Sequence, residues 1–171
     1  MKIKLFLLII FSAFIVSCVF TKQQMVSHKS QIKDIFSIPD GSILKVRLAD
    51  NELNLVVANS PKAKAEGLSN KEKIPEDGMI FFFYESDIQS FWMKEMKFPI
   101  DIIWISGNEV AGIEKNVPIP ISTAKIGDLK IYKSPQRADT VIELEAGSAD
   151  KLNIVFGSIL EVSQNYYING D

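Results

Sequence analysis

The chain opens on its longest apolar run and then changes character twice. Leu5 to Val16 is hydrophobic apart from Ser12. At about a dozen residues the run falls short of the roughly 20 that a helix needs to cross a bilayer core, and it has the length of a signal-peptide h-region. Residues 19–37 are mostly polar, with Thr21-Lys22-Gln23-Gln24 and Ser27-His28-Lys29-Ser30-Gln31 showing no sustained period of 2 or 3.6, and they read as a linker.

From Ser42 onward the pattern is that of short strands. Ile43, Leu44, Val46 and Leu48 form one run, and Leu53, Leu55 and Val57 alternate in the next, with Asp50-Asn51 as turn chemistry between them, so a hairpin is predicted. Ser60-Pro61 has the form of an N-cap followed by a first helical residue, and Gly67 stops the helix early. Pro75-Glu76-Asp77-Gly78 predicts a turn, Met79 to Tyr84 a continuous apolar strand, and Ile100 to Ile105 another. The cluster Phe81-Phe82-Phe83-Tyr84 is expected to be core, filling both sides of a buried strand. Gly107-Asn108 turns the chain into a returning strand, Val110 to Val117.

Pro118-Ile119-Pro120 begins a long loop with little pattern, to about Ala138. Thr140 to Leu144 alternates as a strand, Ala149 to Leu152 is a helical turn, and Ser158 to Val162 is a closing strand. Many short strands separated by frequent turns predict a mostly β domain with one or two short helices. Its strands are mainly antiparallel, in a small barrel-like or sandwich arrangement. The expected organisation is a signal at 1–17, a lipidated cysteine and linker at 18–37, and a single β-rich domain at 38–171.

Charge and cysteine usage refine the N-terminal reading. Lys2 and Lys4 precede the apolar run, which ends at Ile15-Val16-Ser17-Cys18. This resembles the bacterial lipobox, in which a small residue lets the peptidase reach the bond before a cysteine whose thiol takes the diacylglyceryl group. Cys18 is the chain's one cysteine, so neither a disulfide nor a thiol-based zinc site is available. The one histidine, His28, lies in the linker, which argues against a histidine metal site or a Ser-His-Asp triad, and neither metal nor cofactor is expected.

The chain carries 19 basic and 21 acidic residues, and loss of Lys2 and Lys4 with the signal moves the net charge from −2 to −4. That balance argues against a nucleic-acid partner and leaves acyl chains as the membrane anchor. The predicted address is the periplasmic face of a membrane. Because Val19 rather than aspartate follows the cysteine, that membrane would be the outer one in a Gram-negative host.

Phe91-Trp92-Met93-Lys94 followed by Phe98-Pro99-Ile100-Asp101-Ile102-Ile103 resembles the signature of domain of unknown function family 192. Other landmarks stand in the same order: Ala65-Glu66-Gly67-Leu68, Gly78-Met79-Ile80-Phe81, Tyr132-Lys133-Ser134, and Val141-Ile142-Glu143-Leu144 with Gly147. The resemblance covers about residues 42–163 and implies a small β-barrel-like fold without supplying an activity. The chain departs from the family pattern at Lys64 and Ser69, at Glu95-Met96 where an amide and threonine are usual, and at Gly157-Ser158.

Two readings of the central signature stand side by side. In the structural one, Phe91 and Met93 face the core while Lys94 pairs with Asp101 across the turn at Pro99. In the other, Trp92 sits at a pocket mouth, and Lys94, Asp101, Tyr132 and Ser134 help to hold a small polar ligand. Glu95, Asp101 and Glu143 are weak candidates for acid–base chemistry, with no spacing that identifies a reaction. Three functions remain: a membrane-anchored small-molecule-binding or interaction module, which the sequence favours; an envelope hydrolase using carboxylate and lysine groups around Lys94 and Asp101; and an accessory domain that contacts an envelope protein and no small ligand. The lack of histidine and cysteine chemistry weighs against the enzyme.

Overall fold

A computed structural model describes residues 35–121 and 126–168, with the side chains at 164, 165 and 168 left out. The signal segment, Cys18 and the linker up to residue 34 lie outside the described residues.

Among the described residues nine strands run in chain order as β1 (Ser42–Leu48), β2 (Asn51–Ala58), β3 (Gly78–Asp87), β4 (Ser90–Trp92), β5 (Ile100–Ser106), β6 (Glu109–Val117), β7 (Ile131–Lys133), β8 (Ala138–Glu145) and β9 (Leu160–Ile168). Two short helices, α1 (Pro61–Glu66) and α2 (Ser148–Lys151), stand among them. Seven strands form one sheet in the order β6-β5-β8-β3-β2-β1-β9, while β4 and β7 form a separate two-stranded ribbon. Among the described strands only the β2–β3 pair is parallel, and α1 belongs to its crossover. The domain is mostly β, with a sheet that curls into a barrel-like form.

The curl brings the two edges of the sheet together at one end. Glu109 of β6 bridges Ile159, Val110 N–H donates to the Ser158 carbonyl at 2.9 Å, and Leu160 N–H donates to the Asn108 carbonyl at 2.8 Å. Part of each exposed edge is satisfied in this way.

Local chemistry explains the elements. The hairpin turn is Ala49-Asp50, one residue earlier than the sequence suggested. Both residues are left-handed (φ 49° and 66°), as a two-residue turn matched to strand twist requires. Asn51 instead braces the turn: its side-chain amide donates to the carbonyls of Ala49 at 2.7 Å and Leu152 at 2.8 Å. The Ser60 hydroxyl accepts from Ala63 N–H at 3.1 Å, Pro61 occupies the first turn, and Gly67 N–H closes the helix on the Ala63 carbonyl, as predicted.

The central strands are buried on both faces. On one face, Ala58, Met79, Phe81, Ile100, Ile102, Trp104 and Val141 share a cluster with Leu68, Met93, Met96 and Tyr132 from the overlying segments. Alternation places Leu55, Val57, Ile80, Ile103, Ile105, Ile142 and Leu144, all buried, on the other face, inside the curl.

Tyr84 departs from the core expectation, being 78% exposed. The β3–β8 register breaks between Phe82 and Asp87, so the strand leaves the ladder before reaching Tyr84. The long loop also holds order that the sequence did not reveal, namely a 3-10 turn, Ile126–Asp128, and β7.

Two glycines set close approaches. A Cβ at Gly78 would overlap the Glu143 carbonyl oxygen and come within 2.8 Å of Leu144 Cδ2, and a Cβ at Gly112 would overlap the ring of Pro135. Gly78→Ala should therefore destabilise the domain at the upper end of the ~1–3 kcal/mol typical of overpacking, because the obstruction is backbone. Urea denaturation checks this, and a variant as stable as the parent would show that β3 and β8 can part without loss.

Candidate functional site

The signature segment overlies the face of the sheet that carries Phe81 and Trp104. Within the ribbon, Ser90 pairs with Lys133, Phe91 with Tyr132 and Trp92 with Ile131. Partners in an antiparallel pair project to one side, so Phe91 and Tyr132 point to the sheet while Trp92 and Ile131 point away from it. Burial agrees. Tyr132 is buried, whereas Trp92 is 42% and Ile131 46% exposed. Phe91 packs edge-on against Phe81, Phe83 and Trp104, with ring centroids 5.1, 6.4 and 5.5 Å away. Met93 is buried as well. The expected inward orientation of Phe91 and Met93 is therefore what the chain adopts.

The segment after Trp92 is held from behind. The Ser69 hydroxyl donates to the Lys94 carbonyl at 2.7 Å, Asn70 N–H donates to the Glu95 carbonyl at 2.9 Å, and the Asn70 amide donates to Glu95 Oε2 at 2.8 Å. Glu95 is left-handed (φ 57°), a conformation that an asparagine tolerates better than a glutamate. Lys94 Nζ lies 6.0 Å from the Trp92 ring centroid and 3.8 Å from Glu95 Oε1. At that spacing and exposure both are weak surface interactions.

Asp101 does not join this group, and its partner is not Lys94. Its neighbours Ile100 and Ile102 belong to the cluster beneath the ribbon, so alternation turns Asp101 to the opposite face of β5. There it is wholly buried. Oδ1 accepts from Asn116 N–H at 2.7 Å and Oδ2 from Ala149 N–H at 2.8 Å. The first bond secures β6 where Asn116 turns left-handed (φ 52°). The second caps α2, whose own N-cap, Gly147, has no side chain to do so. Asp101 is a structural carboxylate.

Ser134 is buried and structural too. Its Oγ accepts from Gln89 N–H at 3.0 Å, and its own N–H donates to the Gln89 carbonyl at 3.0 Å, a reciprocal clamp across the ribbon end. Tyr132 presents its ring to the Lys130 ammonium, 4.3 Å from the centroid. The sequence-predicted set thus divides: Trp92 and Lys94 are accessible, Tyr132 and Ser134 lie beneath them as support, and Asp101 is on the far side.

Glu143 is the unusual group. It pairs in register with Met79 on β3 and Ile102 on β5, both in the apolar cluster, and only 5% of the residue is exposed. Its Oε2 is buried without a hydrogen-bond partner among the described residues. Burial pushes its pKa up to about 8, so at neutral pH the carboxyl is largely a neutral acid. Such a group can donate a proton, but its register neighbours Met79 and Ile102 carry no second titratable group to work with it. Among the described residues, no cluster of three or more His, Cys, Asp and Glu side chains is placed to hold a metal ion.

With this geometry in hand, the family model DUF192, described as "Uncharacterized ACR", matches residues 43–162. The chain belongs to the DUF192 family. The DUF192 landmarks quoted from the sequence fall on the two layers just described: the end of α1, β3, the ribbon and β8. A solved structure from Sinorhizobium meliloti 1021, provisionally described as a transcription regulator, is 27% identical, with a TM-score of 0.63 over 75% of this chain and 100% of that one. A protein of unknown function from Novosphingobium aromaticivorans DSM 12444 shares the fold at 24% identity and a TM-score of 0.58, over 70% of this chain and 83% of that one. Among curated proteins, none matches the chain.

Two measurements check these assignments. Asp101→Ala leaves the buried Ala149 N–H and the part-buried Asn116 N–H without their acceptor and should cost about 2–3 kcal/mol, most of it at Ala149, whereas Lys94→Ala should cost less than about 1 kcal/mol. Equal losses in chemical denaturation would contradict the division of roles.

Glu143 gives a pH signature. Because its folded pKa of about 8 lies above the ordinary 4.5, the folded protein holds the proton more tightly than the unfolded chain. Its contribution to stability is greatest below the unfolded pKa and declines as pH rises between these two values. Glu143→Gln should abolish that decline, so the variant gains on the parent as pH is raised. Parallel stability profiles would refute the burial argument.

Proposed function

We propose that the protein is a membrane-anchored lipoprotein of the cell envelope whose β domain is an interaction module. It works through the outward face of the β4–β7 ribbon. The anchor rests on Lys2, Lys4, the apolar run Leu5 to Val16 and the lipobox-like Ile15-Val16-Ser17-Cys18. Among the described residues no helix is long and apolar enough to cross a membrane; in this reading the attachment is the acyl chains on Cys18.

The observation that carries the module is the exposed cross-strand pair Trp92–Ile131. It is held on a ribbon whose other side is packed through Phe91 and Tyr132. A large aromatic presented by a braced backbone loses little conformational freedom on binding, and tryptophan is among the residues that most often anchor contacts. A broad surface fits this geometry better than a small polar ligand held by Trp92, Lys94 and Asp101, because Asp101 faces elsewhere. An envelope hydrolase is supported by Glu143 alone, through its unpartnered acid, and not by Lys94 and Asp101. The name given to the Sinorhizobium protein finds no support in charge: nucleic-acid binding draws on a basic footprint, and this chain is net −2.

Fractionation tests the anchor. The parent should incorporate labelled fatty acid and partition with membranes, while Cys18→Ser should do neither. A Cys18→Ser protein that still partitions like the parent sinks the lipoprotein reading.

A further inference from the structure

The outward face of the ribbon mixes two kinds of side chain. Trp92 and Ile131 stand side by side at its centre. Exposed Ile126 lies in the 3-10 turn just before β7, and Ile119 and Ile121 are exposed in the preceding loop. Beside the central pair stand two lysines, Lys133 opposite Ser90 on the same face and Lys94 near the Trp92 ring, while Lys130 turns its ammonium to the Tyr132 ring on the other side. Residues 90–97 and 126–133 together hold Lys94, Lys97, Lys130 and Lys133 against Glu95 and Asp128, a local positive excess in a chain whose overall balance is −2. Lys97 is paired with Glu72 and Lys94 with Glu95. Lys133, on the face of Ile131, supplies the outward charge that no acidic partner takes up, and Lys130 adds to the local excess from the ribbon's edge.

An exposed tryptophan with aliphatic neighbours and a fringe of lysine is the chemistry that suits the headgroup boundary of a bilayer. There the aromatic ring and isoleucines enter the apolar side and the ammonium groups meet phosphates. We propose that the outward face of the β4–β7 ribbon docks on an anionic lipid surface, with Trp92 and Ile131 inserted and Lys94 and Lys133 on the headgroups. This names the partner of the interaction face proposed above and rests on that reading. Intrinsically weak docking suffices once the domain is tethered, because a short linker holds it near the surface at an effective concentration of about millimolar. The two contacts together fix an orientation, and the ribbon becomes the membrane-facing side of the domain.

The test uses the mature chain from residue 18 carrying Cys18→Ser, so that no acyl chain contributes. Trp104 is fully buried and Trp92 exposed, and these are the chain's two tryptophans. A change in emission on adding vesicles therefore reports on Trp92. Vesicles of phosphatidylethanolamine with phosphatidylglycerol should shift the emission to the blue and co-sediment the protein, while phosphatidylcholine vesicles should do so far less.

Ile131→Ser and Lys133→Glu, both at exposed positions, should each lower the vesicle partition coefficient, the charge reversal by about tenfold. Added salt should weaken binding further. An unchanged emission with anionic vesicles, or binding that neither substitution reduces, overturns the proposal and leaves this face to a protein partner. Since the assay omits the acyl chain, its failure is separate from failure of the anchor, which the Cys18→Ser fractionation reads.

Discussion

The structure depends on strands that are buried from both sides. β3, β8 and β5 carry one apolar layer inside the curl of the sheet and another beneath the ribbon and α1. Along their central stretches no water-facing side remains on which a polar residue can be placed cheaply. Each polar residue there must be satisfied within the fold or left at a cost. Asp101 takes the first course, turning an internal carboxylate into a joint between β6 and α2. Glu143 takes the second and keeps its proton. The same constraint demands glycine at Gly78, because β3 and β8 approach too closely there for any Cβ.

The double layer also explains how the candidate residues are sorted. A signature read along the chain looks like one constellation, since Trp92, Lys94 and Asp101 lie within ten positions of each other. Folded, the turn at Pro99 and the alternation of β5 send Asp101 through the sheet plane. Tyr132 and Ser134 arrive from far along the chain, yet they come as the underside of the ribbon. What remains accessible is an aromatic and aliphatic surface with lysines about it, a different kind of object from a pocket lined by paired charges.

Much of this fold was legible in the sequence. The alternating runs in β1, β2 and β8, the Ser60-Pro61 start and Gly67 stop of α1, and the Gly107-Asn108 turn all follow from local stereochemistry, and local stereochemistry is what a sequence displays. The failures have one common cause. Tyr84 looked like core because it ended an aromatic run, but its exposure is decided by where β8 stops pairing. β7 was invisible because three residues carry no period, and the strand exists through its pairing with β4. The role of Asp101 and the isolation of Glu143 likewise arise from partners far away in sequence. Gly112, opposite Pro135, gave no local sign of its packing.

The pairing of β1 with β9 has a temporal side. The first strand of the sheet to be synthesised lies between β2 and the last strand, so one flank of the β1–β2 hairpin stays open until the C-terminal residues exist. Contacts across so long a stretch of chain form slowly, because the loop between them must be closed first. The edge-to-edge contact at Ile159 waits on the same segment. A chain that emerges N-terminus first therefore keeps its sheet incomplete until its last strand exists, and only then closes it.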